Sequence, residues 1–226
     1  MLKKYAILSS VILKFLLIAP CFAQSLPELP REGGKNLPPL TTDEMVPERI
    51  LPEKKTLGED RNAQQKKQDD LNKQFYELKR TVDVDMAAKI DSRIQGLWAQ
   101  SGSETIDLLM QWAETAIRNN DYISALDFLD NVVALQPDYA EGWMRRASVH
   151  AQIDDLALAM LDLDRVLSIE PRHYNALMLL GLIMETTQRN ALAIKAYQQA
   201  LDIYPQMQRA QSRIGELLEK ETDRAI

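Results

Sequence analysis

The sequence predicts an all-α chain built from stacked antiparallel helix pairs. Three observations carry this reading. Pro137, Pro171 and Pro205 recur at intervals of 34 residues, a period in the range of stacked repeats. Small residues return in the same phase between them. Glycine is scarce, at 8 residues in 226, and the C-terminal half is rich in Ala, Leu, Met and Gln, which favours helix over strand. A hydrophobic content of 46% is enough for a core.

The N-terminus reads as an export signal. Lys3 and Lys4 precede a mostly apolar run from Ala6 to Ala19, and Cys21-Phe22-Ala23 resembles an A-x-A cleavage site. Residues 1–23 are therefore expected to be a signal peptide. The apolar run is short for a membrane span and is interrupted by Lys14. A retained anchor and a lipid-modified Cys21 are the alternatives. Against lipidation, Pro20 stands where lipoprotein signals place a small residue. Cys21 is the single cysteine, so a chain cleaved after Ala23 has no disulfide, thiol nucleophile or thiolate metal site. Cleavage also removes Lys3, Lys4 and Lys14 and moves the formal net charge from −6 to −9. Without a Lys/Arg run, such a chain is a poor binder of nucleic acid or anionic lipid.

Residues 24–60 hold Pro27, Pro30, Pro38, Pro39, Pro47 and Pro52, with Gly33-Gly34 as a flexible point. No apolar period survives there. The stretch reads as an extended, mostly disordered linker able to span on the order of 100 Å.

A helical hairpin is expected over 61–105. Leu71, Phe75 and Leu78 mark one helix face, and Ala87, Ile90, Ile94, Leu97 and Trp98 mark another. "QSGSET" (Gln100 to Thr105) interrupts the pattern, with Ser103 placed to cap the next helix.

The repeats occupy 106–139, 140–173 and 174–207. Position 8 of each window is Ala113, Ala147 or Gly181, and position 20 is Ala125, Ala159 or Ala193. These small residues let two helices, A and B, approach where they cross. Position 24 holds Leu129, Leu163 or Tyr197, and position 27 holds Val132, Val166 or Ala200. The proline at position 32 ends helix B, because it has no N–H to donate and blocks the preceding turn. Its fixed φ suits the start of the next helix. "NNDY" (Asn119 to Tyr122) and "QRNA" (Gln188 to Ala191) are the polar A–B turns. Residues 208–226 repeat only the helix-A half, then turn polar in "EKETDR", as a solvent-facing cap should.

At these residues the sequence resembles the tetratricopeptide repeat family, with three windows in register over 106–207. The resemblance implies a right-handed superhelix with helix A lining a concave groove, and protein–protein interaction as the activity. Arg146 at position 7 and His150 at position 11 of the second window depart from the usual leucine and tyrosine; both suit a helix edge.

Catalytic chemistry finds no support. His150 reads as an interhelical residue and His173 as an inter-repeat turn residue, with no metal or triad partners at useful spacing. No glycine loop cradles a phosphate. Asp154-Asp155 fall at an A–B turn, where helix capping accounts for them. No enzyme activity, cofactor or metal is expected.

The candidate site is therefore a surface. Positions 2, 5, 9 and 12 of helix A form the stripe expected to face the groove. They are Asp107, Met110, Glu114 and Ile117 in the first window. The second supplies Glu141, Met144, Ser148 and Ala151, and the third Asn175, Met178, Leu182 and Glu185. Methionine at position 5 in all three windows would make an adaptable apolar ladder. Edged by acids, that ladder suits a peptide or helix with apolar anchors and some positive charge. The alternative is that these methionines pack neighbouring repeats. The lysine, asparagine and arginine of the carboxylate-clamping subgroup are missing, their places taken by Met110, Glu114, Asn175 and Leu179. The expected function is a periplasmic scaffold or adaptor binding a segment of another envelope protein in the groove. The alternative is an assembly component of an outer-membrane, secretion or cell-wall complex, docking through its N-terminal region.

Overall fold

The computed structural model describes residues 57–225, all within one compact unit spanning 54–226. The expected signal peptide and residues 24–56 of the expected linker lie outside the described residues. Among the described residues there are nine helices and no strand, which form a helical-repeat superhelix. No described helix is long and apolar enough to cross a membrane.

Helices α1 (Leu57–Arg80) and α2 (Val84–Ala99) form the N-terminal pair. α1 starts at Leu57, inside the stretch 24–60 read as linker. Asp83 caps α2 by accepting from the Met86 N–H at 2.8 Å.

Three A–B pairs follow: α3 (Glu104–Arg118) with α4 (Tyr122–Leu135), α5 (Ala140–Gln152) with α6 (Leu156–Ile169), and α7 (Tyr174–Thr186) with α8 (Asn190–Ile203). α9 (Gln208–Ala225) closes the series against α8. Equivalent helix ends recur 34 residues apart, in step with the prolines. Ser103 caps α3 as expected. Each helix B ends two residues before its proline, and the residue between is extended or nearly so, the backbone that a following proline imposes.

Each A–B turn places one residue in the left-handed region: Asn120 at φ 56°, Asp154 at 64° and Gln188 at 62°. Asp121 and Asp155 then cap the B helices by accepting from Ser124 and Leu158 N–H. Arg189, at the same place in the third unit, provides no side-chain cap.

The crossing residues Ala113, Ala147, Ala125, Ala159 and Ala193 are at most 1% exposed. The third crossing is built differently. Tyr197 replaces the Leu129 and Leu163 of the other units, and a Cβ on Gly181 would lie 2.3 Å from its ring. Positions 7 and 23 also pair in the first two units, with different chemistry. Trp112 meets Phe128 with ring centroids 5.6 Å apart. In the second unit Arg146 forms a two-pronged ion pair with Asp162, at 2.6 and 2.9 Å. The departure at Arg146 is thus a partly buried pairing across the A–B crossing. Those bonds and the Asp130 carboxylate, 2.8 Å away, hold the guanidinium in its charged form and raise its pKa.

The N-terminal hairpin does not stack on the first repeat as a preceding unit would. It lies across the three inter-repeat turns and packs chiefly on the third unit. Leu71, Phe75, Leu78, Ala87, Ile90, Ile94 and Trp98 share one core with Tyr174, Leu177, Tyr197, Tyr204 and Leu217. At the first turn, Gln136 Nε2 donates to the Ser101 carbonyl and the Tyr139 hydroxyl to the Ala99 carbonyl. At the second, Arg172 reaches Asn72 and lies 4.2 Å over the Phe75 ring. Tyr174 there donates to Asp91 and accepts from Gln95. At the third, Gln206 donates to the Thr81 carbonyl. Among the described residues no helix stacks before the first repeat, and Trp112 is 47% exposed.

Candidate functional site

The second and third A helices, α5 and α7, enclose a groove of about 690 Å³ with α9. Met144, Met178, Leu179 and Leu182 supply its apolar wall. Ser148, Asn175, Gln208 and Ser212 add hydrogen-bonding groups, and Gln95 of the hairpin closes one edge. A second cavity of about 300 Å³ adjoins it, sharing Leu182 and Arg213.

The expected stripe divides between two places. Glu141, Met144, Ser148, Asn175, Met178 and Leu182 all line the groove. The first-window residues do not. Met110 and Ile117 are half-buried against the first repeat's own core, beside Ala113, Ala116 and Leu129. Met110 also touches the cluster of Ile106, Val132 and Tyr139. Asp107 accepts from the Ser101 hydroxyl at 2.6 Å, and Glu114 pairs with Arg145 and Arg118. Two of the three ladder methionines thus face the cavity, and Met110 packs within its own repeat.

The acids are placed differently from the sequence expectation. Glu141 is only 8% exposed. One of its oxygens accepts from Arg145 Nε at 3.1 Å, and the other lies 3.5 Å from His173 Nε2. His173 caps α7, its Nδ1 accepting from the Ala176 N–H at 3.2 Å. The neutral ring therefore carries its proton on Nε2, facing Glu141. Its flat side stacks on Trp98, which couples the groove floor to the hairpin. Glu185 accepts from Arg213 and from the Tyr197 hydroxyl. Burial raises the Tyr197 phenol, and the bonds to Glu185 raise the Arg213 pKa.

Sequence reasoning missed the contribution of α9. Continuing the 34-residue register puts Arg209 at position 2 and Ser212 at position 5 of an incomplete fourth unit. Both line the groove, so the rule that selected the stripe would have found them had it been carried past residue 207. Arg145 and Arg213 lie at position 6, outside the stripe, and reach the groove on long side chains.

Nothing at the groove assembles a nucleophile with a base and an orienting group. Among the described residues no group of three or more His, Cys, Asp or Glu is placed to hold a metal ion. His150 lies 3.9 Å from Asp162 at the A–B interface of the second unit, away from the groove.

The sequence matches the Tetratricopeptide repeat family over residues 110–170 and 162–207. A TPR repeat-containing protein of Rhizobium etli is 44% identical over 110 residues, 49% of this chain. The chain spans about half, 54%, of that relative's length. Among solved structures, the Arabidopsis OM64 TPR domain aligns with a TM-score of 0.50 and 19% identity, over 52% of this chain and 97% of that one. MamA aligns at 0.50 and 20%, covering 74% and 85%. The first TPR of Spaghetti (RPAP3), bound to an HSP90 peptide, aligns at 0.51 and 18%, covering 53% and 95%. These structures share the fold. The recurring helix pairs, their small-residue crossings and these matches lead to one conclusion: residues 110–207 form a stack of helix pairs that matches the tetratricopeptide repeat family.

Proposed function

We propose that this chain is an adaptor of the bacterial periplasm, exported by residues 1–23, that holds a segment of another envelope protein in its concave groove. A tetratricopeptide repeat stack is a protein–protein interaction scaffold. The observation that carries the finer reading is the groove itself, where Met144, Met178 and Leu182 remain partly open in a cavity of about 690 Å³. A concave apolar surface with a few converging polar groups is the usual form of a binding site. The fold neighbour bound to an HSP90 peptide supports a peptide-sized ligand. For the assembly reading, the main apolar face of the hairpin is buried against the third repeat, while Tyr76, Val82, Val84 and Met86 remain exposed.

The test is crosslinking capture from envelope extract with the full chain as bait, compared with a Met144→Ser/Met178→Ser variant. The proposal expects a partner held by the first and lost by the second. A partner retained by both would move the binding surface elsewhere. Absence of the protein from a periplasmic fraction would remove the location.

A further inference from the structure

We infer that the groove selects a partner segment whose apolar anchors are flanked by acidic side chains. This rests on the groove reading above and reverses the charge preference expected from the sequence. The stripe taken alone is acidic, carrying Asp107, Glu114, Glu141 and Glu185 and no cation. Folding removes that character in two ways.

First, the acids are withdrawn. Asp107 and Glu114 lie outside the groove lining. The Glu141 and Glu185 side chains, 10% and 12% exposed, sit behind the arginines that bind them. Second, cations come forward. Arg145 and Arg213 bind those two acids yet keep 46% and 33% of their own side-chain surface exposed. Arg209 lines the groove with no ion-pair partner among the described residues. Lys220 extends the basic edge along the adjoining cavity, 3.9 Å from Glu185. Glu114 and Glu216 balance part of this charge from outside the lining, through Arg145 and Arg213.

A ligand in the groove therefore meets guanidinium groups beside methionine and leucine, in a chain whose net formal charge is −6. Arginine forks donate paired hydrogen bonds to carboxylates, while Met144 and Met178 adapt to an apolar anchor between them. Complementary charge of this kind sets selection and encounter rate more than raw affinity.

The experiment measures fluorescence anisotropy with the full chain and three labelled peptides: alternating Leu and Glu, its Leu/Gln isostere, and a Leu/Lys counterpart. All three are amidated at the C-terminus, so that side-chain carboxylates alone are tested. The Glu peptide should bind best and the Lys peptide worst. Its affinity should fall when salt is raised from about 50 to about 300 mM, which shortens the range of exposed charge pairs. Arg209→Glu should weaken the Glu peptide roughly ten-fold, the scale of one lost ion pair made repulsive, and barely change the Gln peptide. Because exposed Arg209 makes no hydrogen bond or ion pair among the described residues, this variant should keep the parent melting temperature.

Gln or Lys peptides binding as tightly as Glu, with Met144→Ser still abolishing binding, would overturn the acidic preference and leave the groove reading standing. Glu-peptide binding untouched by Met144→Ser and Met178→Ser would overturn the groove reading itself. Binding by none of the three, or only by a version with a free C-terminal carboxylate, would also overturn the inference.

Discussion

The indole of Trp98 lies flat on the imidazole of His173, with ring centroids 4.1 Å apart and 5° between the planes. The two residues are 75 positions apart in sequence. The contact joins the N-terminal hairpin to the N-cap of the third helix A, and it sits directly behind Glu141 at the groove floor.

This double role can be separated by substitution. His173→Asn keeps a side-chain oxygen to cap α7 but removes the stack, which should cost about 1 kcal/mol, the scale of a buried aromatic pair. His173→Ala removes both and should cost about 1 kcal/mol more, the usual loss of an N-cap. Amide hydrogen exchange should show residues 84–99 opening first in both variants, because the stack anchors α2. Equal stability of the Asn and Ala variants would show that the cap contributes nothing.

The third helix crossing makes a second prediction. Gly181 is required because Tyr197 fills the space that a Cβ would enter. Gly181→Ala should destabilise by about 1–3 kcal/mol through overpacking, despite alanine's better helix propensity. Adding Tyr197→Leu should recover much of that loss, since Ala with Leu is the pairing at Ala113/Leu129 and Ala147/Leu163. Losing the Tyr197–Glu185 hydrogen bond limits the recovery. Chemical denaturation of the four proteins gives the coupling directly. Additive effects would mean that the two residues do not share the crossing.

These two sites show what the sequence could disclose. The recurring helix pairs were legible because one spacing governs prolines, turns and crossing residues together. The Met144 and Met178 positions followed from the same register. The placement of the hairpin was not legible. Its apolar faces at Leu71, Phe75, Ile94 and Trp98 are visible in the sequence, but an apolar face does not name the surface that covers it. The stack on His173 and the hydrogen bonds of Tyr139 and Tyr174 are long-range contacts with no spacing rule. The charge of the groove lining was not legible for a related reason. A stripe counts formal charges, and it cannot show that Glu141 and Glu185 would be buried behind arginines from outside the stripe.

The third A–B turn is the least well made and should be the easiest to improve. Asp121 and Asp155 cap the first two B helices, whereas Arg189 caps nothing. Arg189→Asp should add roughly 0.5–2 kcal/mol and also place a favourable charge at the helix N-terminus. Gln188, at φ 62°, occupies a backbone region that costs a β-carbon about 1–2 kcal/mol. Gln188→Gly should relieve part of that, less the extra entropy of an unfolded glycine, for a net gain below about 1 kcal/mol. Both variants should melt at higher temperature than the parent. A lower melting temperature for Arg189→Asp would mean that the arginine makes a contact outweighing the cap.

Alkaline pH should loosen the hairpin before the repeats unfold. Tyr139 and Tyr174 hold it through their hydroxyls, and burial is the first cause raising both phenols above the ordinary value. Nearby acids add to the shift, Glu141 for Tyr139 and Asp91 for Tyr174. A phenol raised in the folded state remains protonated where the unfolded chain has already ionised. Its contribution is therefore complete below about pH 10 and is lost as pH climbs from there toward the folded value, at up to about 1.4 kcal/mol per pH unit for each phenol. Lys67 acts in the opposite direction, because burial lowers its ammonium below 10.5. Its penalty is relieved as pH rises toward that value, so above it only the phenols remain. Urea midpoints measured at about pH 8 and pH 11 should fall steeply for the parent chain and less steeply for Tyr174→Phe. The variant should start from a lower midpoint at neutral pH, having lost the bond to Asp91. Equal slopes for the two proteins would mean that Tyr174 ionises as readily folded as unfolded, and that its hydroxyl does not secure the hairpin.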